Sequence, residues 1–240
     1  LIGHGIVVRR GRDQVNVTKL QVLYEDNHLL VVAKPPGIAT MGVPAGKLSL
    51  LDVAKEYIKE KYNKPGNVYL GIVSRLDAPV TGVLLIARTS KAAARLTEQF
   101  RQGTVDKVYW AVVEGTPDSP EGTCVDWVRK DERHRKMHIA AKSHPEAQEA
   151  RLTYRALQTV PSGTLLEVRL ETGRKHQIRL QLAHRGLPIV GDRKYGAAQS
   201  FEEGIALHSR HLHLQHPVLK TDLDITAKLP PSWRRFGIQQ

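Results

Sequence analysis

The order of elements in this sequence is consistent with an α+β fold. Most of the chain consists of short runs rich in Val, Leu, Ile and Tyr closed by Gly, Pro, Asp or Asn, the pattern of strands and turns. Between them lie a few stretches with apolar residues at helical spacing and capping residues at their starts. A length of 240 residues fits one large domain, or two lobes on a common sheet, and is enough to bury a substantial core. The formal charge of +12 favours a polyanionic partner, nucleic acid ahead of an anionic membrane, over a merely soluble surface.

Residues 1–20 mix Gly, Arg and Val without a clear period and read as a lead-in or arm. From Val22, VLYEDNHLLVVAKPPG reads as strand, Asp-Asn turn, strand and a Pro-Pro-Gly stop. Residues 40–48 are a loop. In SLLDVAKEYIKEKY, Ser49 and Asp52 stand as N-cap and N3 of a helix. Leu50, Ala54, Tyr57 and Ile58 form its apolar face, with Lys55, Lys59 and Lys61 outward.

The stretch GIVSRLDAPVTGVLLIAR, residues 71–88, places Asp77 ahead of a buried strand at Val83–Ala87. Pro79 and Gly82 are expected to bracket a tight turn that holds Asp77 near the edge of the sheet. A carboxylate on a short, rigidly mounted loop is where a reactive group is expected, although an ordinary surface turn has the same composition. A second helix follows in TSKAAARLTEQFRQG, capped by Thr89 or Ser90, with Leu96 and Phe100 inward and Gly103 at its end. KVYWAVVEG then alternates as a strand carrying Tyr109.

Residues 116–122 form a solvent loop before a strand near Cys124–Arg129, a charged turn RKDERHRK and a strand around 137–141. Arg129, Lys130, Arg133, Arg135 and Lys136 concentrate positive charge on that hairpin, either against phosphates or simply in solvent. EARLTYRALQTV and TLLEVRLE form an antiparallel pair across Pro161-Ser162-Gly163. In ETGRKHQIRLQLAHRG, Thr172 can cap a helix with Ile178, Leu182 and Ala183 inward and Gly186 past its end. His176 and Arg179, three apart, then share a face.

A single cysteine, Cys124, excludes an intrachain disulfide framework and a cysteine-cluster metal site, and reads as a buried strand residue. No apolar stretch approaches a membrane helix and no secretory signal is visible, so a cytoplasmic protein is expected. His208, His211, His213 and His216 invite a metal reading, but no acidic or cysteine partner is evident in the sequence to complete a set, and no metal is expected. No Gly-rich phosphate loop of the P-loop or dinucleotide type occurs.

Four ordered motifs resemble the RluA-type pseudouridine synthases. They are the acidic turn and strand ending Lys34-Pro35-Pro36-Gly37; Arg75-Leu76-Asp77 with Thr81-Gly82; Lys107-Val108-Tyr109-Trp110-Ala111; and Thr172-Gly173-Arg174-Lys175-His176-Gln177-Ile178-Arg179. Gly186-Leu187-Pro188-Ile189-Val190-Gly191-Asp192 and Tyr195-Gly196 continue the last, and a Leu-His and His-Pro ending follows. The chain departs from the family pattern at Ser74, where His is usual, and at Val80, where Thr is usual.

The resemblance covers about residues 22–229. It implies a long, bent, mostly antiparallel mixed sheet with flanking helices and a central catalytic cleft. It implies a catalytic domain over 21–240 with lobes of roughly 21–115 and 116–240, without an N-terminal RNA-binding module. The implied activity is isomerisation of uridine to pseudouridine in ribosomal or transfer RNA by a monomer without a cofactor. On this resemblance Asp77 is the nucleophile, Arg179 its partner and Tyr109 the aromatic that stacks on the target base. Arg75, Lys34, Arg174 and His176 are candidate substrate-binding residues, with Arg75 filling the space of the extruded nucleotide and Lys34 on an RNA-facing rim. The departures at Ser74 and Val80 motivate an alternative, a catalytically inactive RNA-binding protein of the same fold.

Overall fold

The computed structural model describes residues 20–131 and 136–238. Nearly all of the expected N-terminal arm, and Arg133 and Arg135 of the basic hairpin, lie outside these residues. The first half contributes β1 (Gln21–Glu25), β2 (Leu29–Lys34), β3 (Gly71–Ile72), β4 (Thr81–Ala87) and β5 (Asp106–Val113), with helices α1 (Leu50–Lys61) and α2 (Ser90–Gln102). The second half adds β6 (Glu121–Asp131), β7 (Lys136–Ile139), β8 (Gln148–Val160), β9 (Gly163–Leu170), α3 (Gln177–His184), β10 (Leu207–Gln215) and β11 (Asp222–Thr226). Among the described residues these eleven strands form one sheet in the order β1-β2-β4-β10-β5-β9-β8-β6-β7, with β3 on β4 and β11 on β10. The β4–β10 pair is parallel and the others are antiparallel. The two expected halves interleave in this sheet, because β10 of the second lies between β4 and β5 of the first.

The caps predicted for the first two helices form. Ser49 accepts from the Asp52 amide while the Asp52 carboxylate accepts from the Ser49 amide, a complete capping box. Thr89 accepts from the Ala92 amide, and Gly103 ends α2 in the left-handed region at φ 72°. The apolar faces of α1 and α2 then cover opposite sides of the sheet. Leu30 and Val32 of β2 join Leu50, Ala54 and Ile58 of α1 in one core. Leu29 and Val31 join Ala92 and Leu96 of α2 in another. A strand covered on both faces needs apolar residues at every position, which is why β2 and β4 read as unbroken aliphatic runs.

The middle of the sheet differs from the sequence expectation in two respects. The turn that carries Asp77 closes at Val80, whose amide donates to the Asp77 carbonyl at 3.0 Å. Gly82 lies beyond it, as the second residue of β4, at φ +112°. Nor is Asp77 at an edge of the sheet, because β4 is flanked by β2 and β10. Gly82 is paired with Ser209, and Ser209 with Tyr109 on β5, so one row crosses the three central strands. An ideal Cβ on Gly82 would stand 2.2 Å from the Ser209 carbonyl oxygen, so only glycine lets β10 approach this closely.

Replacing Gly82 with Ala should therefore destabilise the protein by roughly 2–4 kcal/mol, through left-handed strain and displaced backbone. Urea unfolding of the purified variant checks this, and an unchanged midpoint would mean that the β4–β10 approach is not constrained.

Candidate active site

The row through Gly82, Ser209 and Tyr109 continues to Val168 on β9, and β9 leads through residues 171–176 into α3. Segments far apart in sequence therefore meet where β4 begins. Asp77 lies on the turn before β4, Tyr109 on β5 and Arg179 in α3. The Arg179 Nη1 donates to Asp77 Oδ2 at 2.9 Å. The other two nitrogens of the same guanidinium donate to Asp192, with Nε to Oδ2 at 2.6 Å and Nη2 to Oδ1 at 2.9 Å. Asp192 and Arg179 are both buried, and the Asp77 side chain is 26% exposed.

This geometry sets the charge states. Burial alone would lower the Arg179 pKa, but hydrogen bonds and charge from Asp192, then Asp77, outweigh it and raise it. His176 Nε2 lies 3.7 Å from Asp77 Oδ2. Burial lowers the His176 pKa to about 4; Asp77 opposes the shift, whereas Arg179, Lys175 and Lys194 reinforce it. The imidazole is therefore neutral near pH 7. The contacts of Arg179 and His176 both converge on Oδ2 of Asp77, and among the described residues Oδ1 accepts no hydrogen bond. Tyr109 is half-buried, and burial raises its phenol to about 12, so its hydroxyl stays protonated.

Asp77, Arg75, Tyr109, Arg174, His176 and Arg179 all line one cleft of about 540 Å³, a size that suits a nucleotide-scale ligand. A second cavity of about 690 Å³ adjoins it and shares Val73–Asp77, Gly173, Arg174 and His176. Arg75 is exposed in the cleft wall. Arg174 is exposed too, and its Nε donates to the Glu149 carbonyl at 2.9 Å.

Lys34 is not on an RNA-facing rim. It is 1% exposed, and its amine donates to the carbonyls of Pro35 and Ile38 at 2.8 Å and of Ala78 at 3.0 Å. The physical reason is that Lys34 ends a strand buried on both faces and extends its stem to three turn carbonyls, which match the three donors of an ammonium. Burial pushes its pKa down to about 7, opposed by the charge of Asp77. Lys34 thus ties the loop after β2 to the turn that carries Asp77.

Thr172 does not cap α3. The helix begins at Gln177 after His176, which takes left-handed backbone at φ 52°. Thr172 instead accepts from the Arg151 amide at 2.8 Å and donates to Gln177 Oε1 at 2.7 Å, securing the 171–176 segment to β8. The pairing of β10 with β11 brings Asp224 to both His211, at 2.9 Å, and His213, at 3.2 Å. The acid that sequence alone did not place beside these histidines is therefore supplied across the sheet. Still, among the described residues no group of three or more His, Cys, Asp and Glu is arranged to hold a metal ion.

Residues 28–184, more than half of the chain, match the family described as RNA pseudouridylate synthase. The chain belongs to this family. The chain is 33% identical over 240 residues to the ribosomal large subunit pseudouridine synthase D of Xanthomonas campestris, covering 90% of this chain and 68% of that protein. It is 33% identical over 235 residues to the tRNA pseudouridine synthase C of Yersinia pestis, covering 90% of this chain and 88% of that protein. Among solved structures, human RNA pseudouridylate synthase domain containing 4 superposes with a TM-score of 0.76 at 27% identity, covering 92% of this chain and 94% of that one. These relatives agree with the RluA-type resemblance and with the α+β fold.

Two residues of this pseudouridylate synthase had no side-chain role in the sequence reading, Asp192 and Tyr195. Both stood in a quoted motif, but only the folded chain brings them against Arg179. No helix among the described residues is long and apolar enough to cross a membrane.

Substituting Asp192 with Asn leaves two Arg179 donors with a single acceptor oxygen, and an amide group now faces a donor. The expected cost is about 3 kcal/mol of stability by urea unfolding. A loss below about 1 kcal/mol would mean that Arg179 does not depend on Asp192 for its place.

Proposed function

We propose that this chain isomerises uridine in ribosomal or transfer RNA to pseudouridine, with Asp77 as the reacting carboxylate and without a cofactor. The observation that carries the proposal is the Asp77–Arg179–Asp192 chain, which presents the Asp77 carboxylate in a cleft shared with Tyr109 and Arg75. The two curated relatives are named for ribosomal and transfer RNA, and the formal charge of +12 suits either polyanion.

In the reaction the N-glycosidic bond of uridine breaks, the base turns, C5 joins C1′ and loses its hydrogen as a proton, and N1 gains a proton. Substrate and product are isomers, so neither oxidant nor co-substrate is consumed. Asp77 serves as nucleophile or as stabiliser of the electron-poor intermediate, with Oδ1 available while Oδ2 is held. Arg179 sets a fixed positive charge 2.9 Å from the carboxylate, which offsets the desolvation that substrate binding brings. Tyr109 stacks on the extruded base, and Arg75, exposed at the cleft wall, occupies the gap left in the RNA stack. Extrusion costs a few kcal/mol, which stacking and phosphate contacts offset.

Asp77→Asn, nearly isosteric but uncharged, should lower single-turnover pseudouridine formation by about 100-fold or more while RNA affinity stays near that of the native protein. Substantial turnover by this variant overturns the role of Asp77. Arg75→Ala should slow reaction on a folded RNA roughly tenfold more than on a short unstructured strand, where little unstacking is required. Equal losses on both substrates would remove Arg75 from the extrusion step.

A further inference from the structure

Tyr195 stands between α3 and the β6–β7 hairpin, on the 3₁₀ turn Arg193–Tyr195 that follows Asp192. It is 7% exposed, and its hydroxyl accepts from the Met137 backbone amide of β7 at 3.1 Å. The same oxygen lies 2.8 Å from His176 Nδ1. The ring meets that of His176 edge to face, with centroids 5.7 Å apart and planes at 88°. Cations flank it as well, Lys136 Nζ at 4.9 Å and Arg179 Cζ at 5.1 Å from its centroid.

These contacts bear on which nitrogen of His176 carries the hydrogen. The Tyr195 oxygen accepts from the Met137 amide, and its own proton can be donated to His176 Nδ1, 2.8 Å away. A neutral imidazole that accepts at Nδ1 carries its hydrogen on Nε2. Nε2 is the atom 3.7 Å from Asp77 Oδ2. The opposite tautomer would set a lone pair against a carboxylate oxygen, which is repulsive. At 3.7 Å the contact is longer than a formed hydrogen bond, so it acts as a dipole aimed at the acid.

We infer that Tyr195 is a positioning residue: it fixes His176 as the Nε2–H tautomer directed at Asp77 and ties that orientation to the backbone of the β6–β7 hairpin. The inference rests on Asp77 being the reacting carboxylate. His176 then aims an N–H dipole at Oδ2 from one side while Arg179 holds it from another, and Oδ1 stays available. A displacement of the hairpin that moves the Met137 amide also moves the hydroxyl that sets the ring.

A tautomer measurement and a double-mutant cycle test this. In 15N NMR of the native protein at neutral pH, His176 should show a protonated Nε2 and an unprotonated Nδ1; protonation at Nδ1 overturns the inference. Tyr195→Phe should lower the single-turnover rate about tenfold, with RNA affinity within about twofold of native, because only the aim of the ring is lost. His176→Gln sets its own lower baseline and offers an amide N–H that does not need the tyrosine. On that background Tyr195→Phe should cost less than about twofold, and an equal loss on both backgrounds overturns the inference. The NMR result decides the matter even if Tyr195→Phe does not fold. Turnover retained by Asp77→Asn with the expected tautomer present would instead remove the assignment of Asp77.

Discussion

Arg179 is the constraint on which the rest of the site depends. A buried guanidinium is tolerated only where its donors are matched, and here two carboxylates divide them. Asp192 takes Nε and Nη2 in a bidentate pair, which fixes the plane of the guanidinium. Nη1 is then left in one place, and Asp77 is at that place. Such buried pairs contribute little net stability because desolvation offsets attraction, so their value here is geometric. Two carboxylates share the Arg179 guanidinium beside a neutral His176, and the more exposed of the two acids is the one that borders the cleft.

The sheet supplies the frame for that geometry. A turn before β4, a tyrosine on β5 and a helix after β9 converge because β10 inserts between β4 and β5 and passes Ser209 close to Gly82. Buried polar groups secure the same region. His208 Nδ1 lies 2.7 Å from Thr81 Oγ1 at the start of β4, and its other nitrogen faces the Ala227 carbonyl. Burial pushes its pKa down to about 4, so it acts as a neutral strut between strands. His216 does comparable work at the far end of β10, where Nε2 meets Asp26 at 2.8 Å. The histidine cluster of the tail is thus distributed among strand contacts.

Much of the fold was legible in the sequence because its signals are local. Alternation, aliphatic runs, the Ser49–Asp52 box and the Thr89 and Gly103 caps each depend on residues within one or two turns of chain. The motif resemblance named the carboxylate, its arginine and the cleft tyrosine, and the fold brings all three to one cleft. The errors share a different origin. Gly82 looked like a turn residue because glycine signals turns, whereas its requirement comes from a strand 127 residues away, as for the adjoining Thr81–His208 contact. Lys34 looked solvent-facing because lysine usually is, and its three carbonyl partners include one 44 residues distant.

The sequence by itself determined the element types, the basic character of the chain and the candidate chemistry, since these follow from composition, spacing and motif order. Only the tertiary structure decided which donors of Arg179 face which acid, that Asp192 and Tyr195 support the site, and that Lys34 and Thr172 brace loops. The reason is physical. Hydrogen-bond partnership depends on distances of about 3 Å between atoms whose residues are separated by tens of positions, and no local pattern encodes that separation. The strand order, set by which buried faces can be covered together, brings those atoms within reach.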